Sequence, residues 1–443
     1  MDNSPKYIWQ KLQKRCIDSL GTAVLVAVLC VLSTVLNACP LPPPSYSVER
    51  MPDIEISSAS DLQKAITSAP TGNAPYVIAL TADITLTSTL NITCGKNIAL
   101  IGLTGPGEAP MLGNNPEDFR QLTQDDDSPV ITIHYGGQLI LSGITVAHNI
   151  VHVDGLDDYL ASGPGVYVNE GGLLIIESGF IHRNHSSYFA NNCGGGVLNY
   201  GTFMMTGGTI SSNEAKISGG GVANYGILTM SGGAISGNTA EGGGAYHYSG
   251  VGGGGVANYA TFTMTGGTIS NNIYTGDNIT GGGGVYNNAS GTLTMTGGRV
   301  SGNAVDYGGG IFNHNIFVMA DGTISGNTAD TDGGGVYNFS GRIFLSPDWL
   351  DTVHGAFAMK GGTISDNTAG RNGGGVYTSD YYIFTTEISD VDIIFSNNRA
   401  WRAYPLGPVS YDYAVYCVNI VHAPQAWTAP FEFGYNNFDI YHD

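Results

Sequence analysis

The chain has 443 residues, 66 of them glycine, with 42% apolar and only 12% charged residues. Its 36 acids against 16 bases give a formal net charge of −20, which argues against a nucleic-acid partner, because phosphate backbones are bound through lysine and arginine. The apolar share, with aromatics throughout, excludes a disordered chain and suffices for a substantial core.

Residues 1–38 read as an export signal. Lys6, Lys11, Lys14 and Arg15 precede the apolar run Leu20 to Leu36, the order of basic and apolar regions that directs secretion. The run closes in LNACP, where Leu36, Ala38 and Cys39 resemble the lipobox of bacterial lipoproteins. That resemblance implies cleavage before Cys39 and a diacylglycerol on its sulfur. An uncleaved anchor is the alternative, since about 17 apolar residues is the lower limit for crossing a bilayer. Both readings place the rest of the chain at a membrane surface of the bacterial cell envelope, outer membrane or cell surface. Residues 39–56, with Pro40, Pro42, Pro43 and Pro44, read as a stiff tether. Beyond it, Cys94, Cys193 and Cys417 are odd in number and far apart, so they allow one disulfide but indicate neither a disulfide framework nor a zinc site.

Residues 57–128 open with ASDLQKAITSA, in which Leu62, Ala65, Ile66 and Ala69 have helical spacing, followed by the strand-like VIAL, ITL, LNI and IALIG. The expectation is an N-terminal helical cap on the first coils of a solenoid.

Residues 129–400 carry an internal repeat. Met205, Met230, Met264, Met295, Met319 and Met359 each stand five residues before an Ile or Val. Three residues beyond that Ile or Val come Asn213, Asn238, Asn272, Asn303, Asn327 and Asn367. Upstream, each GGGV or GGGI is followed two residues later by Asn199, Asn224, Asn258, Asn287, Asn313 or Asn338. The unit is GGGVxN, then TφTMTGG with φ Phe or Leu, then TISxN, over about 25 residues, and self-similarity at such a period marks a solenoid. In TLTMT, Leu293 and Met295 alternate with Thr292, Thr294 and Thr296, the period of a strand with one buried face. Three such short strands per unit bury their inward residues only by stacking unit on unit. The spacing therefore predicts an all-β, right-handed, three-sided parallel β-helix of about nine or more coils, with both asparagine columns as structural ladders. Weaker coils extend it upstream through Asn149 and Asn184 and downstream through Ile394 and Asn397. Residues 401–443, rich in Tyr, Phe and Trp, read as the opposite cap.

GGGVYN at 333–338 and GTISGNTA at 322–329 make the chain similar to the pectin-lyase-like superfamily of right-handed parallel β-helices, and within it to polymorphic outer-membrane-protein and adhesin-like repeats. The resemblance covers roughly residues 55–400. It implies a surface protein that binds partners, with polysaccharide lyases and hydrolases as the enzymatic branch of the superfamily. Many relatives end in a membrane barrel, and the residues after the last coil are too few for eight spanning strands, so attachment through Cys39 takes the barrel's place.

The glycine runs carry no Lys-Ser/Thr pair of a phosphate loop, and Asn stands where the calcium nonapeptide needs Asp, so neither a nucleotide nor a metal is expected and no cofactor is assigned. No catalytic residue is assigned either. Between Gly194 and Ser340 the only bases are Lys216 and Arg299. Asp125 to Asp127 and Asp154, Asp157 and Asp158 read as solvated loops with a cation as the alternative, and His182 and His185 near Glu177 as exposed turn residues with a site as the alternative. Tyr286, Phe312, Tyr337 and Tyr377 alternate with the buried valines and read as a structural ladder, or else as a stripe for stacking sugars. Two interruptions of the repeat offer lateral loops for a glycan or protein ligand: Glu241 to Gly252, with Tyr246, His247 and Tyr248, and Arg342 to Gly355, with Phe344, Trp349 and Leu350. The reading is a non-enzymatic, lipid-anchored, adhesin-like surface protein displaying these loops to a host, cell or matrix. A polysaccharide lyase or hydrolase is the first alternative and a structural envelope protein the second.

Overall fold

The computed structural model describes residues 51–108, 111, 113–151, 159–160, 162–186, 193–242, 251–276, 281–346, 349–378, 393–400 and 440–442. The chain divides into a unit Met1–Met51 and a unit Pro52–Asp443, and the fold is that of the second. The signal, Cys39 and the proline tether up to residue 50 lie outside the described residues, as does most of the expected 401–443 cap.

The protein is a parallel β-helix. Three long sheets run along it, each built only from parallel pairs. The GGGVxN segments make a sheet of eleven strands, from Leu90–Ile92 to Ile440–His442. The TφTM and TIS segments form two stacks of one 20-stranded sheet, and in Thr292–Ser301 and Ile316–Ser325 one strand runs through both. The third sheet has eight strands, including Glu214–Ala215, Thr239–Ala240 and Ile273–Tyr274. It is a fourth β segment in each unit that the repeat did not disclose, because two residues are too few to show a period of two.

Two rungs also extend the count of nine. Leu90–Ile92 begins the column, and Ile440–His442 ends it by pairing with Val376–Thr378, so the final residues of the chain continue the repeat. Eleven rungs at about 4.8 Å span about 48 Å.

The first rungs receive the expected helix, Ala59–Ser68, whose Ser58 side chain accepts the amide of Asp61 at 3.3 Å as an N-cap. Leu62, Ala65 and Ile66 are buried and belong to the same apolar cluster as Ile56, Leu80, Leu86 and Leu90.

Inside the coils, like residues sit on like. Phe203, Leu228, Phe262, Leu293, Phe317 and Phe357 form one buried column and the six methionines the next. Each fully buried side chain contributes about 1.5–3 kcal/mol. The methionine column is tied to the glycines. A Cβ on Gly267, which has φ +80°, would lie 2.6 Å from the Met230 methyl of the preceding coil, and Gly298 stands in the same relation to Met264. The methionine end thus occupies the space that the glycine leaves.

The triple glycine is equally constrained. Gly219 has φ +66°, a Cβ on Gly220 would collide with the Thr239 carbonyl, and one on Gly221 would lie 2.7 Å from the Gly255 carbonyl. These residues form a backbone ladder between coils, with Gly221 donating to Gly255 O at 3.1 Å and Val222 at 2.9 Å. The triplets are corners at which coils touch through bare backbone.

Both asparagine columns are ladders, fully buried. Asn199 donates Nδ2 to Asn224 Oδ1 at 2.7 Å, and the pattern continues through Asn258, Asn287 and Asn313 to Asn338. In the second column Asn213, Asn238, Asn272, Asn303, Asn327 and Asn367 each use Nδ2 twice, on the next Oδ1 and on a carbonyl of the preceding coil, and their backbone N–H also meets the next Oδ1. Buried amides are thereby satisfied without water.

Two ladder ends correct the reading. Upstream, His148, not Asn149, meets Asn184 Oδ1 at 2.9 Å, and Asn149 turns out to Asp125. Downstream the register slips by one residue. Phe395 pairs with Ile364, Asn398 accepts from Asn367 at 3.0 Å, Ile394 is exposed and Asn397 takes φ 55°.

Candidate functional site

Of the residues expected to meet a partner, Tyr246, His247 and Tyr248 lie outside the described residues. The second interruption is an antiparallel hairpin, Ser340–Ser346 with Trp349–His354, in which Phe344 faces Leu350 in the register and Ser346 faces Trp349. Both interruptions leave the repeat. From Ala240 to Val256 the chain takes 15 intervening residues, where Ala215 to Val222 takes six.

The aromatic column is a structural ladder. Tyr286 and Phe312 are fully buried and Tyr337 and Tyr377 nearly so, and Phe312, Tyr337 and Tyr377 stack at 4.8 and 4.6 Å. The run continues toward the amino terminus by exchange of positions. Where Ala223 and Ala257 stand in the column, Tyr225 and Tyr259, two residues later, supply the rings and stack at 4.4 Å. Burial pushes the hydroxyls of Tyr225, Tyr259, Tyr286 and Tyr337 up. His314 lies among Phe312, Phe339 and Tyr286, fully buried and with both ring nitrogens unpartnered, and burial alone holds its pKa down at about 3.

The acids and histidines that the sequence singled out are dispersed among structural partners. Asp125 accepts Asn149 Nδ2 at 2.7 Å, Asp126 the Ser128 hydroxyl at 2.5 Å and Asp127 the Ser162 amide at 2.7 Å, so all three tie loops. Asp154, Asp157 and Asp158 lie outside the described residues. Glu177 is half-buried, which raises its pKa, while His185 pairs with Glu214 at 3.4 Å. Glu214 is held well below the carboxylate range by hydrogen bonding from His185 first and Glu241 second, and the bond to Glu214 raises Glu241. Lys216 bridges those two acids at 3.3 and 2.5 Å. Cys94 is exposed and Cys193 buried, both as free thiols, and Cys193 accepts from Ser218 at 3.2 Å. Among the described residues no three His, Cys, Asp or Glu side chains gather as metal ligands.

One concavity stands out on the TIS side of the 20-stranded sheet, a groove of about 460 Å³ lined by Pro116, Glu117, Gln121, Thr123, Ala147, His148, Asn149, His182 and Arg183. One wall is the short 3₁₀ turn Pro116–Asp118, fixed because the Pro116 carbonyl accepts from Gln121 Nε2 and Thr145 Oγ1, both at 2.7 Å. The floor is the outward face of Arg120–Gln124 and Ile144–His148, and the far wall is the turn after Gly179–His182.

His182 places Nδ1 3.1 Å from the Ser211 carbonyl, which fixes the proton there and leaves Nε2 without a protein partner. Burial first, and the neighbouring Arg183 second, lower its pKa. His148, at the back, has its pKa lowered by burial, opposed by the contacts of its two ring nitrogens with Asn184 Oδ1 and Ser128 O, both at 2.9 Å. Among the described residues Glu117 and Arg183 have no ion-pair or hydrogen-bond partner, and both are exposed.

Arg183 is also the odd residue of its column. The residue before each second-column amide is left-handed, filled by Gly237, Gly302, Gly326, Asn271, Asp366, Asn397 and Ser212, and here by Arg183 at φ 53°. A long side chain there costs about 1–2 kcal/mol relative to glycine. This was the available signal of the groove in the sequence, legible only once the column was known.

Comparison of the chain with family models, with curated proteins and with solved structures gave no match.

Proposed function

We propose that this β-helix is a non-enzymatic display scaffold of adhesin-like type, belonging to the pectin-lyase-like β-helices and held at a bacterial outer membrane or cell surface through lipid on Cys39. The carrying observation is the outward face of the TIS stack. Ser211, Ser236, Ser270, Ser301, Ser325, Ser365 and Ser396 stand in register along seven coils, Ser325 and Ser365 being buried, and the column beside them holds Thr209, Thr268, Thr323 and Thr363 with Ala234, Arg299 and Ile394. Such a face of small hydroxyls supports a rod that presents insertions, and the excursions near Glu241 and Arg342 are the surfaces it would present to a glycan or protein.

The test replaces residues 241–255 by the six-residue link 216–221 that joins Ala215 to Val222. Loss of adherence to host cells, neighbouring cells or matrix, with the melting transition kept, supports display; unchanged adherence sinks it. Palmitate labelling that vanishes in Cys39→Ala supports the anchor, and labelling that persists removes it. The groove beside Glu117 and His182 favours the enzymatic alternative, and release of reducing ends from an acidic or neutral polysaccharide would establish it.

A further inference from the structure

We propose that the groove between the Pro116–Asp118 turn and the Arg183 turn is a binding site for a small, soluble hydroxycarboxylate, with Arg183 holding the carboxylate, His182 as a proton-gated second donor and Glu117 accepting a hydroxyl. The inference goes beyond the display reading and does not rest on it, because it concerns different coils from the lateral loops.

Three observations carry it. The volume, about 460 Å³, suits a ligand of a few carbons up to a single sugar acid. The polar groups at its edge are free: the Glu117 carboxylate, the Arg183 guanidinium and His182 Nε2 have no partners among the described residues, whereas most other charged groups nearby are committed. Arg120, for example, donates to the Leu103 and Thr104 carbonyls, and Asp118 accepts the Asn114 and Asn115 amides. Finally, Arg183 keeps a left-handed backbone at a position that three other coils give to glycine. Residual strain kept in this way marks a residue retained for something other than folding. A guanidinium offers the paired donors that a carboxylate takes, which selects an anion over a neutral polyol.

His182 supplies the gate. With its proton fixed on Nδ1 by the Ser211 carbonyl, neutral His182 turns a lone pair on Nε2 toward the groove and repels a carboxylate. Protonated, it turns an N–H there. Its pKa lies below 6.5, so the donor form grows as pH falls below that value. The charges facing it are Glu117 from the opposite wall, which favours the proton, and Arg183 from its own turn, which opposes it. His148 at the back has both ring nitrogens engaged, by Asn184 and Ser128, and Asp125 is engaged by Asn149. The turn of the following coil brings only Ser211 and Ser212.

The experiment is calorimetric titration of the detergent-solubilised full chain with gluconate, with its neutral analogue glucitol and with acetate. Gluconate is expected to bind about tenfold more tightly at pH 5.5 than at pH 7.5, the gain of one charge-assisted hydrogen bond. Glucitol is expected to give no saturable heat, and acetate to bind more weakly than gluconate. Arg183→Gly, which the backbone accepts, is expected to abolish gluconate binding with the melting transition intact. His182→Gln is expected to keep binding at pH 7.5 and lose its pH dependence. Binding of glucitol equal to that of gluconate, gluconate binding unchanged in Arg183→Gly, or the absence of gluconate heat at pH 5.5 overturns the proposal.

Discussion

The coils before residue 187 and those after residue 193 have one architecture and different rules. The later coils repeat a unit of about 25 residues whose polar interior is two amide ladders and whose corners are glycine. The earlier coils put Ile92, Ile133 and Val168 where the first amide column runs, have no ladder before His148, and admit a long insertion between Gly102 and Arg120. A ladder fixes the amides themselves, because each must meet the next, even where the hairpin leaves the coil two residues after Asn338. Where the ladder is missing, the turns vary, a loop can fold over the sheet, and the groove opens. Among the described residues, the groove lies where the periodicity is weakest.

The largest expected effect comes from breaking a ladder in the later half. Asn272→Leu orphans the Asn238 backbone N–H, takes one of two acceptors from Asn238 Nδ2 and one of two donors from Asn303 Oδ1, and removes the side-chain donor to the Ile235 carbonyl. At about 1–3 kcal/mol for each buried group left unpaired, a loss of about 3–6 kcal/mol is expected, read as a lower urea midpoint. Thr145→Val in the earlier coils removes one hydrogen bond to the Pro116 carbonyl and should cost no more than about 1–2 kcal/mol. Equal losses would erase the distinction between the two halves.

The second prediction concerns acid. His314 is held at about 3, and His148 and His182 are also lowered, whereas in the unfolded chain each titrates near 6.5. The unfolded state therefore binds more protons below pH 6.5, and stability falls as pH drops from 6.5 toward 3. His314→Phe copies Phe339, which stands at the same position of the next coil. It should raise the denaturation midpoint at pH 5 more than at pH 7.5, and an equal gain at both would show that His314 does not drive the acid loss.

The smallest effect is on the early side. Arg183→Gly should raise stability by about 1 kcal/mol by releasing the left-handed strain, seen as a small increase in melting temperature. The same change at an unstrained position would lower it.

The later half was legible because identical residues recur. Columns of Met, Ile and Asn specify register without any knowledge of the turns, and their burial followed from period alone. What escaped has physical reasons. The third sheet is two residues wide, too short for a pattern, and its inward Ala215, Ala240 and Ala369 carry no hydrophobic signature. The slip at Ile394 arose because the pair Asn397 and Asn398 offers two candidates for one rung, and only the left-handed turn decides between them. The groove escaped because it is assembled from a loop at 116–117 and turns at 149 and 183, and no short stretch of sequence contains it.

The ladders have one further consequence. In both ladders each Nδ2 donates to the Oδ1 of the next amide toward the carboxyl terminus and each Oδ1 accepts from the one before, so amide-to-amide bonding runs one way along the rod. A whole coil removed from the middle, such as that between Asn224 and Asn258, leaves Asn199 or Asn224 facing an amide identical to the one lost. The chain can therefore gain or lose length by entire turns at no cost in hydrogen bonding, while a change of a few residues breaks both columns. Growth by duplication is thus built into the orientation of a single side-chain amide.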